Sequence, residues 1–161
     1  MYRIGHGYDV HALSEGLPLW IGGVKIECSF GAVAHSDGDV LIHAICDSLM
    51  GALSLGDIGK HFPDTSYEFK NIDSKILLER TMSLVKARGY AIVNVDCTLA
   101  LEAPKIGPYN SHMRDVLSAI MSISPDDISI KATTREGLGF VGRKEGVEAW
   151  SVVLLKKSNL L

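Results

Sequence analysis

Tyr2-Arg3-Ile4-Gly5-His6-Gly7-Tyr8-Asp9-Val10-His11 stands near the start of the chain and reads as a β-strand whose successive side chains point to opposite faces. That period of two puts Asp9 and His11 on one face, so a carboxylate and an imidazole converge from neighbouring positions. Outward from it, Pro18 to Ile26 reads as a second strand interrupted by Gly22-Gly23 at a bulge or turn. Ser36-Asp37-Gly38-Asp39 then predicts a helix start, with Ser36 as the cap, Asp39 at the third helical position and the helix running to about Leu53. Leu41, Ile45, Leu49 and Ala52 form its core-facing stripe, while His43 and Asp47 share another face.

The segment from Gly56 to Thr65 is polar, glycine-rich and contains Pro63, as a mobile lid would. Asp73 to Arg88 reads as a helix closed by Gly89. Tyr90 to Leu101 alternates again, with Val93, Val95, Cys97, Leu99 and Leu101 on one face and Asn94, Asp96 and Thr98 on the other. Pro108 to Met121 reads as a helix, Asp127 to Thr134 as a strand, and Val147 to Lys157 as a closing strand. The expectation is an α/β (α+β) sandwich, with a mixed four-stranded sheet and helices on one face, in a single domain over residues 1–161.

Composition narrows the function. With 161 residues, 47% of them hydrophobic, the chain has enough apolar material for a core. Lys and Arg total 16 against 19 Asp and Glu, dispersed and without a basic stripe, so no nucleic-acid partner is expected. Cys28, Cys46 and Cys97 form no CxxC pair and read as reduced thiols. No apolar run approaches the roughly 20 residues that cross a bilayer, so no membrane partner is expected. The N-terminus carries no apolar secretion signal, and a cytoplasmic location is expected, or a plastid one if a transit peptide has been removed.

The chemical signal is Asp9-x-His11 followed by His43 on the helix. Three such ligands with a fourth position open are the pattern of catalytic zinc. Asp-x-His also arises by chance, and a lone histidine is often a hydrogen-bonded core residue. Cys46 is either a fourth ligand or core packing, and Asp47 either orients a histidine or is solvated. His35-Ser36 sits where backbone N–H groups at a helix start receive an anion, or else serves only as a cap.

Taken together, Gly5 to His11, Ala34 to Ala44, Gly56 to Thr65, Ala103-Pro104-Lys105 and Lys131 to Arg143 resemble, in order and along nearly the whole chain, the signature segments of the 2-C-methyl-D-erythritol 2,4-cyclodiphosphate synthases of the non-mevalonate isoprenoid pathway. The resemblance implies a substrate, 4-CDP-2-C-methyl-D-erythritol 2-phosphate, whose 2-phosphate attacks the β-phosphorus of its own diphosphate and expels CMP. It implies that Asp9, His11 and His43 hold Zn²⁺ and that Glu136 holds Mg²⁺ or Mn²⁺.

By the same resemblance, His35 and Thr134 stabilise the transition state and Ser36 assists binding. Asp57, Ile58 and Gly59 meet the erythritol portion, with Phe62, Pro63, Asp64, Thr65 and Ser66 closing over it. Leu101, Glu102, Ala103, Pro104, Lys105, Ile106 and Gly107 form the cytosine pocket. Thr133 and Lys105 contact the nucleotide phosphates, and Arg135 is placed among the substrate contacts beside Glu136. Two positions depart from the family pattern: Ser66 stands where members often carry an acid, and Ile106-Gly107 replaces a bulkier apolar pair. A homotrimer is also implied, with active sites shared between subunits and an apolar channel that can hold an isoprenoid diphosphate, its mouth near Phe140, Arg143 and Glu145. Two rivals share parts of this pattern, a zinc phosphohydrolase and a trimeric module that only binds the lipid diphosphate.

Overall fold

The computed structural model describes residues 1–158; the last three residues of the expected 1–161 domain lie outside the described part. Strands β1 (Tyr2–Glu15), β2 (Leu19–Ile21), β3 (Val24–Ile26) and β4 (Phe30–Val33) are followed by helices α1 (Val40–Ala52), α2 (Ile58–His61) and α3 (Ser74–Ala87). Strand β5 (Tyr90–Ala100), helix α4 (Asn110–Met121), strand β6 (Ile128–Thr133), helix α5 (Gly139–Gly142) and strand β7 (Gly146–Lys157) complete the order.

The main sheet has five strands in the order β4-β1-β7-β5-β6, not the four expected. β5 and β6 run parallel and the other neighbours antiparallel. A parallel pair needs a crossover, which α4 supplies. The added strand is β4, whose Phe30 to Val33 pair with Glu15 to Ala12 and so carry β1 four residues beyond its expected end at His11. Pro18 to Ile26 is not one strand but a hairpin, β2 and β3, forming its own two-stranded sheet. Gly22 and Gly23 have φ of 60° and 76°, the paired positive values of a tight two-residue turn.

Helices α1, α3 and α4 pack on one face of the main sheet, the face bearing Gly7, Cys97 and Ser151 in register. On the opposite face only the four-residue α5 packs, its Phe140 beside Gly146 and Glu148, and that face exposes Tyr2, Ile4, Tyr8 and Val10. β5 alternates as expected from Val95 onward, but a bulge between Ile92 and Asn94 buries Ile92 in place of Val93. One extra residue in a strand reverses the facing of everything before it.

The cap of α1 is also displaced. Its N-cap is Asp39, not Ser36. The fully buried Asp39 carboxylate accepts from Ile42 N–H at 3.0 Å, and from Gly22 and Gly23 N–H at 2.9 and 2.7 Å, tying the hairpin turn to the helix start. Burial pushes this carboxyl above the usual carboxylate range against the pull of those three donors. Packing buries α1 on every side but the edge of Asp47 and Gly51, so Ile42, Cys46 and Met50 join the expected stripe in the core.

Gly5 and Gly7 explain how close α1 lies to β1. A Cβ on Gly7 would stand 1.9 Å from Ala44 O, and one on Gly5 1.9 Å from Ser48 O. Absence of side chains there lets the helix backbone rest on the strand and brings His43 over the Asp9-His11 face. Gly7→Ala is expected to destabilise the fold by about 1–3 kcal/mol or more, because the clash is with backbone. Urea denaturation checks this; an unchanged midpoint would contradict the close packing.

Candidate active site

β1 supplies Asp9 and His11 from one face, and α1 supplies His43 from its first turn. His11 Nε2 and His43 Nδ1 are 3.1 Å apart, and each is 3.0 Å from Asp9 Oδ2. The imidazole rings meet edge to face. Burial opposes charge on Asp9, yet the hydrogen bonds from His11 and His43 outweigh it and hold the carboxyl well below the usual carboxylate range. Burial likewise opposes a charged His43, and the Asp9 hydrogen bond and charge outweigh it, raising the imidazole's hold on a proton. The trio is a place where positive charge is stabilised.

These atoms fit a small cation. Ligands of a tetrahedral zinc site, at about 2.0–2.1 Å from the ion, stand about 3.3 Å from one another. The observed triangle has edges of 3.0 to 3.1 Å and a donor set of two imidazole nitrogens and one carboxylate oxygen. It is the group of metal-capable side chains found among the described residues.

A cleft of about 420 Å³ opens on the trio. Its walls bring together Asp9, His11, His35, Ser36, His43, Ile58, Gly59, Phe62 and Asp64 from the sequence-derived set, together with Phe69, Ile72 and Leu77, which the sequence did not single out. Phe62 and Phe69 meet edge to face at 5.6 Å. The only prior signal for Phe69 was its place beside the aromatic and proline residues of the loop.

Other residues in and around that loop make structural contacts. Asp57 caps α2, accepting from Lys60 N–H at 3.0 Å. Asp47 accepts from Ile58 N–H at 2.7 Å and so pins the loop to α1; it reaches neither histidine. Ser66 caps the short turn Tyr67–Phe69, and its carbonyl lies 3.2 Å from His35 Nε2. Pro63 and Thr65 are not among the cleft-lining residues.

A second cleft, of about 400 Å³, gathers Leu101, Glu102, Pro104, Lys105, Ile106, Gly107, Thr133 and Thr134, with Pro108 and Ala132. Ala103 does not line it. Glu102 accepts from Arg135 N–H at 3.0 Å and from Gly137 N–H at 3.1 Å, which shapes the turn after β6. Glu136 sits in that turn with a φ of 52°, its carboxylate accepting from Thr134 Oγ1 at 3.0 Å. A third hollow, of about 260 Å³, holds Arg135 and Phe140 against Glu148. Glu148 is nearly fully buried, is paired with Arg135 and accepts from Tyr8 OH at 3.1 Å. Its signal in the sequence was a lone carboxylate in an otherwise apolar strand. Arg143 pairs with Glu145 at the surface. The first two clefts share no lining residue: Thr134 lines the second and not the one on the trio, and Glu136 lines neither.

A model of the YgbB family matches residues 2–156. The chain belongs to the YgbB family. Its YgbB-family relatives include the 2-C-methyl-D-erythritol 2,4-cyclodiphosphate synthase of Parabacteroides distasonis, 55% identical over 155 residues and covering 96% of each chain. The solved IspF of Plasmodium falciparum in complex with CDP is 35% identical with a TM-score of 0.87, over 98% of this YgbB-family chain and 97% of that one. Bifunctional IspDF of Campylobacter jejuni is 40% identical with a TM-score of 0.94; the alignment takes in 98% of this chain and 42% of that longer one. The α/β fold with a mixed sheet is therefore the fold of the YgbB family.

Cys46 is settled by burial. It and Cys97 are buried thiols that desolvation pushes up to about 12, and neither belongs to the metal-capable group. At pH 8 only about 1 in 10⁴ of such a thiol is thiolate. Iodoacetamide on the native protein is expected to label half-buried Cys28 alone, with all three cysteines labelled after unfolding. Peptide mass spectrometry checks this, and native labelling of Cys46 would contradict it. No helix among the described residues is long and apolar enough to cross a membrane.

Proposed function

We propose that this chain converts 4-CDP-2-C-methyl-D-erythritol 2-phosphate to 2-C-methyl-D-erythritol 2,4-cyclodiphosphate with release of CMP. The observation that carries the reading is the Asp9-His11-His43 triangle opening into a cleft shared with His35 and Ser36, in a chain whose relatives are named for that product.

Asp9, His11 and His43 are read as the Zn²⁺ ligands, matching zinc's preference for imidazole and carboxylate. Glu136 is read as the protein's share of a Mg²⁺ or Mn²⁺ site, since such ions often take one or two carboxylates and complete their shell with phosphate oxygens and water. When bound, the two ions spread the charge of the phosphates and align the attacking and departing oxygens. The 2-phosphate is already an anion, so no side chain has to generate the nucleophile. The barrier lies in bringing two anions into line, and the protein's part is positioning and hydrogen bonding. His35 and Ser36 donate to phosphate oxygens from the first cleft, and Thr134 does so from beside Glu136. Phe62 and Phe69 shed water from the erythritol portion, while the second cleft receives cytosine and Lys105 with Thr133 meets the nucleotide phosphates.

Because these groups lie in separate clefts, the reading requires a neighbouring copy to supply the second. The sheet face that α1, α3 and α4 leave open supports the reading of a homotrimer: Tyr2, Ile4, Tyr8, Val10 and Val152 expose apolar surface there that a neighbour would cover. In that assembly Phe140, Arg143 and Glu145 would lie near the mouth of a central channel that can hold an isoprenoid diphosphate. The reaction is placed in the cytoplasm, or in a plastid where a transit peptide has been removed. Assay with the diphosphate substrate, zinc and magnesium is expected to give one CMP per substrate consumed. A zinc phosphohydrolase would instead liberate inorganic phosphate, and a lipid-binding module would consume nothing.

A further inference from the structure

The two ring nitrogens of His43 enter different networks. Nδ1 faces Asp9 and His11, while Nε2 lies 2.8 Å from the hydroxyl of Ser74 and 3.3 Å from that of Ser36. Ser74 is the first residue of α3 and is fully buried. Its hydroxyl donates to Asp37 Oδ1 at 2.5 Å and its backbone N–H donates to Asp37 Oδ2 at 2.9 Å. Asp37 is fixed in turn, accepting from Asp39 N–H at 3.1 Å and donating its own N–H to Ile72 O at 3.1 Å.

With donors on both its oxygens, the Asp37 carboxylate acts only as an acceptor. The single hydroxyl proton of Ser74 is committed to it, so the serine oxygen turns a lone pair toward His43. Nε2 must then carry the one proton of the neutral, metal-binding imidazole, which leaves the lone pair on Nδ1, the nitrogen that faces Asp9 and the metal position. Ser36 imposes no such choice: its contact is longer, and its hydroxyl proton is not committed to a carboxylate.

We infer that Ser74 and Asp37 are positioning residues that hold His43 as the Nε2–H tautomer and so set the affinity of the trio for its metal. They touch neither ion nor substrate and act through His43. The inference rests on reading the trio as a zinc site. It explains why the start of α3 is bonded directly to the entry of α1: the contact orients a ligand as well as capping a helix.

The test compares wild type with Ser74→Ala, Ser74→Thr and Asp37→Asn. Zinc affinity is measured by competition with a chromogenic chelator, imidazole ¹⁵N spectra are recorded with zinc bound and removed, and thermal melting monitors the fold. Ser74→Ala is expected to weaken zinc binding by about 10- to 100-fold and to lose the Nε2–H signature of His43, while Ser74→Thr keeps the hydroxyl and restores both. In Asp37→Asn the amide can donate to the serine oxygen, which frees the hydroxyl proton to face Nε2. Zinc binding should weaken there also, so the inference stays testable if Ser74→Ala does not fold. A folded Ser74→Ala with wild-type zinc affinity and an unchanged His43 spectrum would overturn the relay and leave the metal site standing. Wild-type protein that binds no zinc would overturn the metal site itself, and the relay with it.

Discussion

His43→Ala is expected to lose its zinc, measured by elemental analysis, and to retain at most about one part in 10³ of the wild-type turnover. The proposed ligand set has three members, and His43 contributes one edge of contact to each of the other two, 3.1 Å to His11 and 3.0 Å to Asp9. Removing it leaves a strand-borne pair on β1 with nothing opposing it from the helix. Lewis-acid stabilisation of a phosphoryl oxygen is worth several kcal/mol, and about 1.4 kcal/mol is a factor of ten in rate, which sets the size of the loss. Loss of the ring also leaves the buried Ser74 oxygen, whose proton goes to Asp37, without the donor it faces, so melting is recorded to separate lost chemistry from lost fold. A folded variant with full zinc occupancy would remove His43 from the site.

Glu136→Gln is expected to do something different. It keeps the shape of the turn in which residue 136 holds a φ of 52°, and it lies outside the cleft around the trio, so zinc content should be unchanged. What it lacks is the charged oxygen that suits a hard cation. Taking that contact as worth about 1.5–3 kcal/mol, the value of a hydrogen bond to a charged group, the magnesium concentration for half-maximal activity should rise by about 10- to 100-fold. An unchanged magnesium titration would contradict the second-metal role.

Much of the trio's geometry was legible in the sequence because it depends on two periods only, two along β1 for Asp9 and His11 and the helical repeat that turns His43 inward. Gly5 and Gly7 stood in that same stretch, but their meaning, a helix backbone 1.9 Å from an added Cβ, required the partner helix. β4 escaped because four residues are too few to show a period. Ser36 and Asp39 both suit a cap, and Asp39 prevails through Gly22 and Gly23, donors that no local rule connects to it. Asp57 carries charge in a loop that resembled a binding segment and Asp47 stands on α1 near His43, yet backbone N–H groups of that loop donate to both. Ser74 and Asp37 lie 37 positions apart and carry no local signal of their pairing with His43. The division of the expected site between two clefts was invisible for a related reason: a sequence motif does not say which cleft each of its residues will line.

The most direct test of the whole reading is phosphorus NMR of the wild-type protein turning over 4-CDP-2-C-methyl-D-erythritol 2-phosphate with zinc and magnesium present. The substrate's phosphorus signals are expected to be replaced in step by CMP and by the coupled pair of a cyclic diphosphate. Appearance of inorganic phosphate, or of an uncyclised product beside CMP, would contradict it.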